Sequence, residues 1–340
     1  MAMIDAAMMG AVSAEAQAVD APFGRALLAL GKARADVVGL SADLSKYTDI
    51  GPFAEAFPSR FFQTGMAEAN MMGIAAGLAR AGYMPFVTTY GVFASRRAFD
   101  QVAMAIALGR QNVKIFAFLP GLTTPGGPTH QAIEDVALMR TLPNMTVIDP
   151  ADARELQQVV QAVAAHDGPA YVRGLRGVVP IVLPSEYQFE IGKARLLRDG
   201  RHVGLVSTGI MTERAIAAAD LLDRSGIRAA VLHASTLKPF DTAAVRTLAS
   251  RVPAVFSIEN GTVVGGLGSA VAEALAGAGS GTRLTMLGVQ DHFPVAGSLE
   301  FLLEKYGLTP AAIAETVERS LAAAERVANT TDMDCTGGLS

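Results

Sequence analysis

Short apolar runs alternate with segments of helical period along this sequence, and that alternation restricts the chain to stacked strand–helix units around mainly parallel sheets. The first apolar runs are Val37–Leu40, Pro85–Thr89, Val113–Leu119 and Thr146–Ile148. Between and around them lie helical segments at Phe23–Lys32, Glu68–Ala81, Ser95–Leu108, Ile133–Arg140 and Ala153–Ala165. The pattern breaks at Pro180–Glu190, where Pro180 and Pro184 interrupt any helical period. It then resumes with runs at Val203–Ser207, Ala229–Leu232, Ala254–Ser257 and Leu284–Leu287, interleaved with helices Met211–Ser225, Ala243–Ser250 and Gly266–Ala276 and closed by Leu299–Lys305 and Pro310–Ala324. The reading is an α/β chain of two domains, each a mainly parallel sheet flanked by helices. An arm (1–20) precedes the first domain (21–178), and a linker (179–192) joins it to the second (193–326), which ends in a tail (327–340).

Composition supports two cores and narrows the function. Of 340 residues, 51% are apolar and only 18% charged, which suits buried parallel strands and a sizeable subunit interface. The net charge of −4 leaves no basic stripe for a phosphate backbone, so nucleic-acid binding is disfavoured. The most apolar helix is broken by Asn70 and Gly73, so it does not read as a membrane span, and the N-terminus has no charged lead before an apolar stretch. A cytoplasmic location is therefore expected. The single cysteine, Cys335, can form neither an internal disulfide nor a metal cluster.

Ligands of open parallel sheets sit beyond the carboxyl ends of the strands. The loops there read Ser41-Ala42-Asp43-Leu44, Tyr90-Gly91-Val92-Phe93-Ala94-Ser95-Arg96-Arg97 and Gly126-Gly127-Pro128-Thr129-His130-Gln131. Glu68 opens an apolar helix with no basic neighbour in sequence. Two readings are open for it. A carboxylate in a first helical turn is favoured by the helix dipole alone; in an apolar setting it can also share a proton with a ligand nitrogen. His130 taken singly is an ordinary structural histidine, but the turn before it permits close approach to a ligand, and Thr129 and Gln131 can brace its ring. Tyr90 and Phe93 are either core rings or the wall of a site for a flat heteroaromatic ligand.

Taken in order, Ser41–Leu44, Gly65-Met66-Ala67-Glu68-Ala69-Asn70, the Tyr90–Gln101 segment and Gly127–Gln131 resemble the pyrimidine-binding half of transketolases. The likeness continues through Leu142-Pro143-Asn144-Met145 and Asp149-Pro150-Ala151-Asp152 to Ser257-Ile258-Glu259-Asn260 and Gly265-Gly266-Leu267-Gly268-Ser269. The resemblance implies a thiamine-diphosphate-dependent transferase of two-carbon ketol units. The family's Gly-Asp-Gly motif for the diphosphate and Mg2+ does not occur in this sequence. The implied protein is therefore the second subunit of a split enzyme, with an N-terminal partner holding the diphosphate and metal in an α2β2 assembly, and with no metal ligand of its own.

By resemblance, Glu68 bonds the aminopyrimidine ring nitrogen and activates the cofactor, while Asp43, Tyr90, Phe93, Arg96 and Phe99 surround the cofactor. His130 addresses the reacting carbons, and Arg173 grips the substrate's terminal phosphate. Departures concern the sugar: Gly126 stands where the family carries Asp, Ala117 lies in a segment lacking a phosphate-binding histidine, and Asn70 follows Glu68 where histidine is usual. They imply a donor or acceptor without the usual hydroxyl or with a different anionic end. The rivals are the matching half of a deoxyxylulose-phosphate synthase, suggested by the Tyr90, Phe93, Arg96 spacing, and a non-catalytic transketolase-like subunit. A 2-oxoacid dehydrogenase β-subunit and a nicotinamide-binding protein fit less well.

Overall fold

The computed structural model describes residues 17–336. The chain runs through β1 (Ala18–Asp20), α1 (Pro22–Ala33), β2 (Val37–Ser41), α2 (Gly51–Ala56), β3 (Phe61–Gln63), α3 (Glu68–Arg80), β4 (Met84–Tyr90), β5 (Lys114–Phe118), α4 (Asp135–Thr141), β6 (Thr146–Ile148), α5 (Ala153–Ala165), β7 (Ala170–Gly174) and β8 (Val178–Pro180). The second half adds β9 (Arg195–Arg198), β10 (Val203–Ser207), α6 (Met211–Arg224), β11 (Ala229–His233), β12 (Thr236–Lys238), α7 (Thr242–Ala249), β13 (Ala254–Thr262), α8 (Leu267–Ala276), β14 (Arg283–Val289), α9 (Leu299–Lys305) and α10 (Pro310–Thr336). No helix among the described residues is long and apolar enough to cross a membrane.

The first sheet has the order β12-β6-β7-β5-β4-β2-β3 and the second the order β14-β13-β10-β11-β9. Both are parallel except for β12 and β9, which pair antiparallel to β6 and β11. Every residue of β2, β5, β7, β10 and β11 is buried, which is why β2, β10 and β11 read as apolar runs and not as alternating ones. Phe23 of α1 packs against Phe116 and Phe118 of β5, with ring centroids 4.5 and 5.4 Å apart, and so fixes that helix across the sheet. The two α/β domains expected from the alternation are present.

The structure corrects the sequence reading at its margins. Within the expected arm, Ala18–Asp20 is a strand that pairs with Val178–Pro180, two residues of which had been assigned to the linker. Pro180 fits there because it ends an edge strand of a two-stranded sheet. The linker is a packed belt: Asp152 accepts the N–H groups of Val182 and Leu183, each at 2.8 Å, and Gln158 bonds the backbone of Tyr187 and Phe189. β12 belongs to the second half in sequence but extends the first sheet, so the domains interlock. The helix expected at Ser95–Leu108 is instead two widened π turns, Phe93–Arg97 and Val102–Ala107, around one α turn. The final helix continues to Thr336, into the expected tail; residues 1–16 and 337–340 lie outside the described residues.

A buried ion pair joins the domains. His233 at the end of β11 lies 2.9 Å from Glu155 of α5, and Thr212 meets its other ring nitrogen at 2.8 Å. Tyr187 of the linker donates to the same carboxylate. Burial is the largest influence on His233 and would lower its pKa, but the Glu155 charge and hydrogen bond, with Asp149 and Asp152, together raise it above 6.5; burial would likewise raise Glu155, and the His233 charge with the His233, Tyr187 and Ala151 hydrogen bonds together hold it below 4.5. The histidine contribution is full below pH 6.5 and fades as pH rises through the raised value. That of the glutamate is full above pH 4.5 and fades as pH falls through the lowered value. Thermal denaturation across pH should therefore show the pair stabilising the chain most between pH 4.5 and 6.5, with the margin over an E155Q/H233Q double variant shrinking on both sides.

Candidate active site

The carboxyl ends of β2, β4 and β5 and the start of α3 converge on one cleft edge. β2 ends at Ser41, and Asp43 follows in the left-handed region at φ 60°, a conformation Asp tolerates better than most residues. Its backbone N–H donates to Gln63 Oε1 at 2.6 Å, and its side chain is exposed at the rim. Glu68 is the first residue of α3 and is only 1% exposed. It makes no hydrogen bond to the N–H groups of its own helix; Arg97 Nη1 donates to its Oε2 at 2.8 Å, and Oε1 receives no hydrogen bond from a described residue. The helix dipole favours a carboxylate at this position but does not account for its burial or direction. The sequence showed no basic neighbour because Arg97 is 29 residues away and arrives through the π turn after β4.

A wall of rings stands beside this carboxylate. Tyr90 and Phe93 stack with centroids 5.9 Å apart, and the His130 ring meets them edge-on at 6.4 and 5.6 Å. The Arg97 guanidinium lies over the Phe93 ring, 4.4 Å from its centroid. Phe99 makes no ring contact with this wall among the described residues; it is partly buried and packs against the cluster that includes Met71, Met72 and Val102. It opens the short α turn that follows the first π turn.

The loop after β5 carries His130, and its shape is imposed from three sides. Gly121, at φ +57°, lies so near the second domain that an added Cβ would sit 2.1 Å from the Asn260 carbonyl oxygen. Asn260 accepts from Leu122 N–H at 2.9 Å and donates to Pro120 O at 3.0 Å. A Cβ on Gly126 would lie 3.0 Å from that of His130, so glycine lets the ring take its present place. Arg96 binds the loop itself: Nη1 donates to Pro128 O at 2.8 Å, Nη2 donates to Gln131 O at 3.2 Å, and the guanidinium pairs with Glu134. This places Arg96 on the histidine loop, not in the cofactor-facing position the sequence suggested. Thr129 braces the ring as expected, with Oγ1 2.9 Å from His130 Nδ1, whereas Gln131 turns inward and donates to Thr124 O and Val295 O. His130 Nε2 makes no hydrogen bond to a described residue.

Arg173 does not stand as a phosphate clamp. It is 2% exposed and all five of its N–H donors are engaged: Nε and Nη2 with Asp135, Nη1 with Asp149 at 3.2 Å and Asn260 O at 3.0 Å, and Nη2 also with Ala132 O. Burial, reinforced by the Asp135 charge and opposed by Arg173, pushes the Asp149 carboxyl up to about 6. The Ala-Tyr-Val-Arg motif thus marks a structural hub, which its sequence could not distinguish from a ligand site. Sequence reasoning missed Asp135 altogether and gave no role to Asn260 or Arg97, although both lie in segments it singled out. Among the described residues no group of three or more His, Cys, Asp or Glu could hold a metal ion. An Arg173→Met substitution should leave two buried carboxylates without their cation and cost about 3–5 kcal/mol, seen as a large loss of melting temperature. A substrate clamp would instead raise KM with melting unchanged.

Comparisons with known proteins agree with this geometry. Residues 15–181 match the transketolase pyrimidine binding domain and residues 192–313 the transketolase C-terminal domain. An uncharacterized transketolase family protein of Sinorhizobium fredii is 50% identical over 304 residues, 88% of each chain. A 6-deoxy-6-sulfo-D-fructose transketolase subunit of a Clostridium species is 43% identical, over 80% of this chain and 85% of that one. A solved split gene transketolase, described as an inactive beta4 tetramer, superposes with a TM-score of 0.81 at 43% identity, covering 89% of this chain and 97% of that one. The chain therefore belongs to the transketolase family, comprising its pyrimidine-binding and C-terminal domains.

Proposed function

We propose that this chain is the pyrimidine-binding subunit of a thiamine-diphosphate-dependent transketolase that moves a two-carbon ketol unit from a ketose to an aldose. The observation that carries the reading is Glu68, almost fully buried, with one carboxylate oxygen unbonded by the described residues, close to the Tyr90–Phe93–His130 rings. These residues fit an aminopyrimidine: a flat ring needs an aromatic face and one carboxylate oxygen placed to share a proton with its nitrogen. When bound, the cofactor supplies the nucleophilic carbon that carries the ketol unit. The role of Glu68 is to hold a proton at the pyrimidine nitrogen. Phe93, with Tyr90 behind it, provides the apolar face, and Asp43 edges the opening. His130, through Nε2, bonds a hydroxyl or oxyanion of the sugar and exchanges its proton.

The diphosphate and Mg2+ belong, in this reading, to a partner subunit with the Gly-Asp-Gly motif absent from this sequence, in an α2β2 assembly. The split-gene relative described as inactive when formed of beta chains alone supports that division. The relative named for a sulfonated fructose, together with Gly126 and the engagement of Arg173, supports a ketose with an anionic end other than the usual phosphate, recognised without the Arg173 clamp. The synthase alternative is separated by product analysis, since it consumes pyruvate and releases carbon dioxide. In the reconstituted pair, E68Q should lower ketol transfer by about 10²–10⁴-fold, the range for loss of a proton-transfer group, without changing subunit assembly on gel filtration. Wild-type turnover in that variant would remove the catalytic assignment.

A further inference from the structure

Arg97 makes two contacts, and both fall on residues assigned above to the cofactor. Its guanidinium is a flat cation lying 4.4 Å from the Phe93 centroid, and its Nη1 donates to Glu68 Oε2 at 2.8 Å. A planar heteroaromatic ring would bond the other oxygen of that carboxylate, Oε1, but it needs the same Phe93 face, which the guanidinium covers. We infer that Arg97 is an internal competitor for the pyrimidine ring, a stand-in that fills the ring's place in the cofactor-free chain and must swing out when the cofactor binds. This rests on the thiamine-diphosphate reading of the site.

Three features suit Arg97 to that part. First, its side chain is 48% exposed, whereas Glu68 is 1% exposed, so the arginine can leave into solvent and the carboxylate cannot follow. Second, among the described residues Glu68 and the Phe93 face are its only polar and ring partners, while the adjacent Arg96 is tied to Glu134, Pro128 O and Gln131 O. Consecutive arginines of one π turn thus do opposite things, one fixed in the histidine loop and one held by a single ion pair. Third, the pairing answers a physical need. A buried carboxylate without a counter-ion destabilises the chain that carries it, and Arg97 supplies one until a ligand does. The consequence is a site kept formed before the cofactor arrives, at the expense of affinity, because each binding event must first break the Arg97 contacts.

The test is the Kd for thiamine diphosphate, measured by titration calorimetry on the full chain reconstituted with its Gly-Asp-Gly-containing partner at fixed Mg2+. R97A should bind the cofactor about tenfold more tightly than wild type, which corresponds to about 1.4 kcal/mol. R97K, which keeps the charge but loses the flat fork, should show a smaller tightening. In an E68Q background the gain from R97A should shrink, because the competitor then has no carboxylate to hold. The same R97A change should lower the melting temperature of the isolated chain, where Glu68 has lost its counter-ion. A Kd unchanged or weakened in both R97A and R97K, with both variants folded, would overturn the inference and make Arg97 a bystander or a cofactor support. E68Q that leaves both Kd and turnover at wild-type values would instead remove the underlying cofactor reading, whatever R97A does.

Discussion

The five-donor hub at Arg173 is the interaction on which the rest of the molecule depends. It reaches from β7 to Asp135 at the start of α4, to Asp149 after β6, and to the Asn260 backbone at the end of β13, so it ties the first sheet to the second domain. Asn260 in turn fastens the loop after β5 through Leu122 N–H and Pro120 O. A cation taken out of water must be surrounded by acceptors, and here two of them, Ala132 O and Asn260 O, belong to residues that also bond the loop after β5. The second domain, which contributes none of the proposed catalytic side chains, acts on the site by this route and through Val295 O, which receives Gln131.

On that frame the cleft is made by chain reversals at strand ends. Glu68 comes from the start of α3, the rings from β4 and its π turn, and His130 from the glycine-rich loop. The π turn inserts Arg96 and Arg97 between them, and their guanidinium groups hold the two halves of the site: Arg96 the histidine loop, Arg97 the buried carboxylate. π turns widen a helix locally and are frequent at functional sites. Phe99, expected among the cofactor-facing rings, lies just beyond this turn and packs against the core.

Much of this was legible in the sequence. Strands buried on both faces announce themselves as apolar runs, so the two parallel sheets are legible from β2, β10 and β11. Glu68 and His130 stand out in the sequence because residue type and loop context coincide. What was hidden depends on pairing between distant segments. The three-residue strands β1, β8 and β12 have too few side chains to show a period and exist because a partner edge is present. The pairing of Arg173 was hidden for a related reason: a sequence motif specifies an arginine but not which carboxylates elsewhere in the chain, here Asp135 and Asp149, lie against it.

The account's central claim is that this chain holds the pyrimidine half of a cofactor site whose diphosphate half lies on another subunit. Titrating thiamine diphosphate and Mg2+ into the purified chain by calorimetry, and then into the chain mixed with its partner, tests that division directly. The account predicts no saturable binding at micromolar concentration by the chain alone and saturable binding with one site per chain in the mixture. Tight, saturable binding by the isolated chain would contradict it.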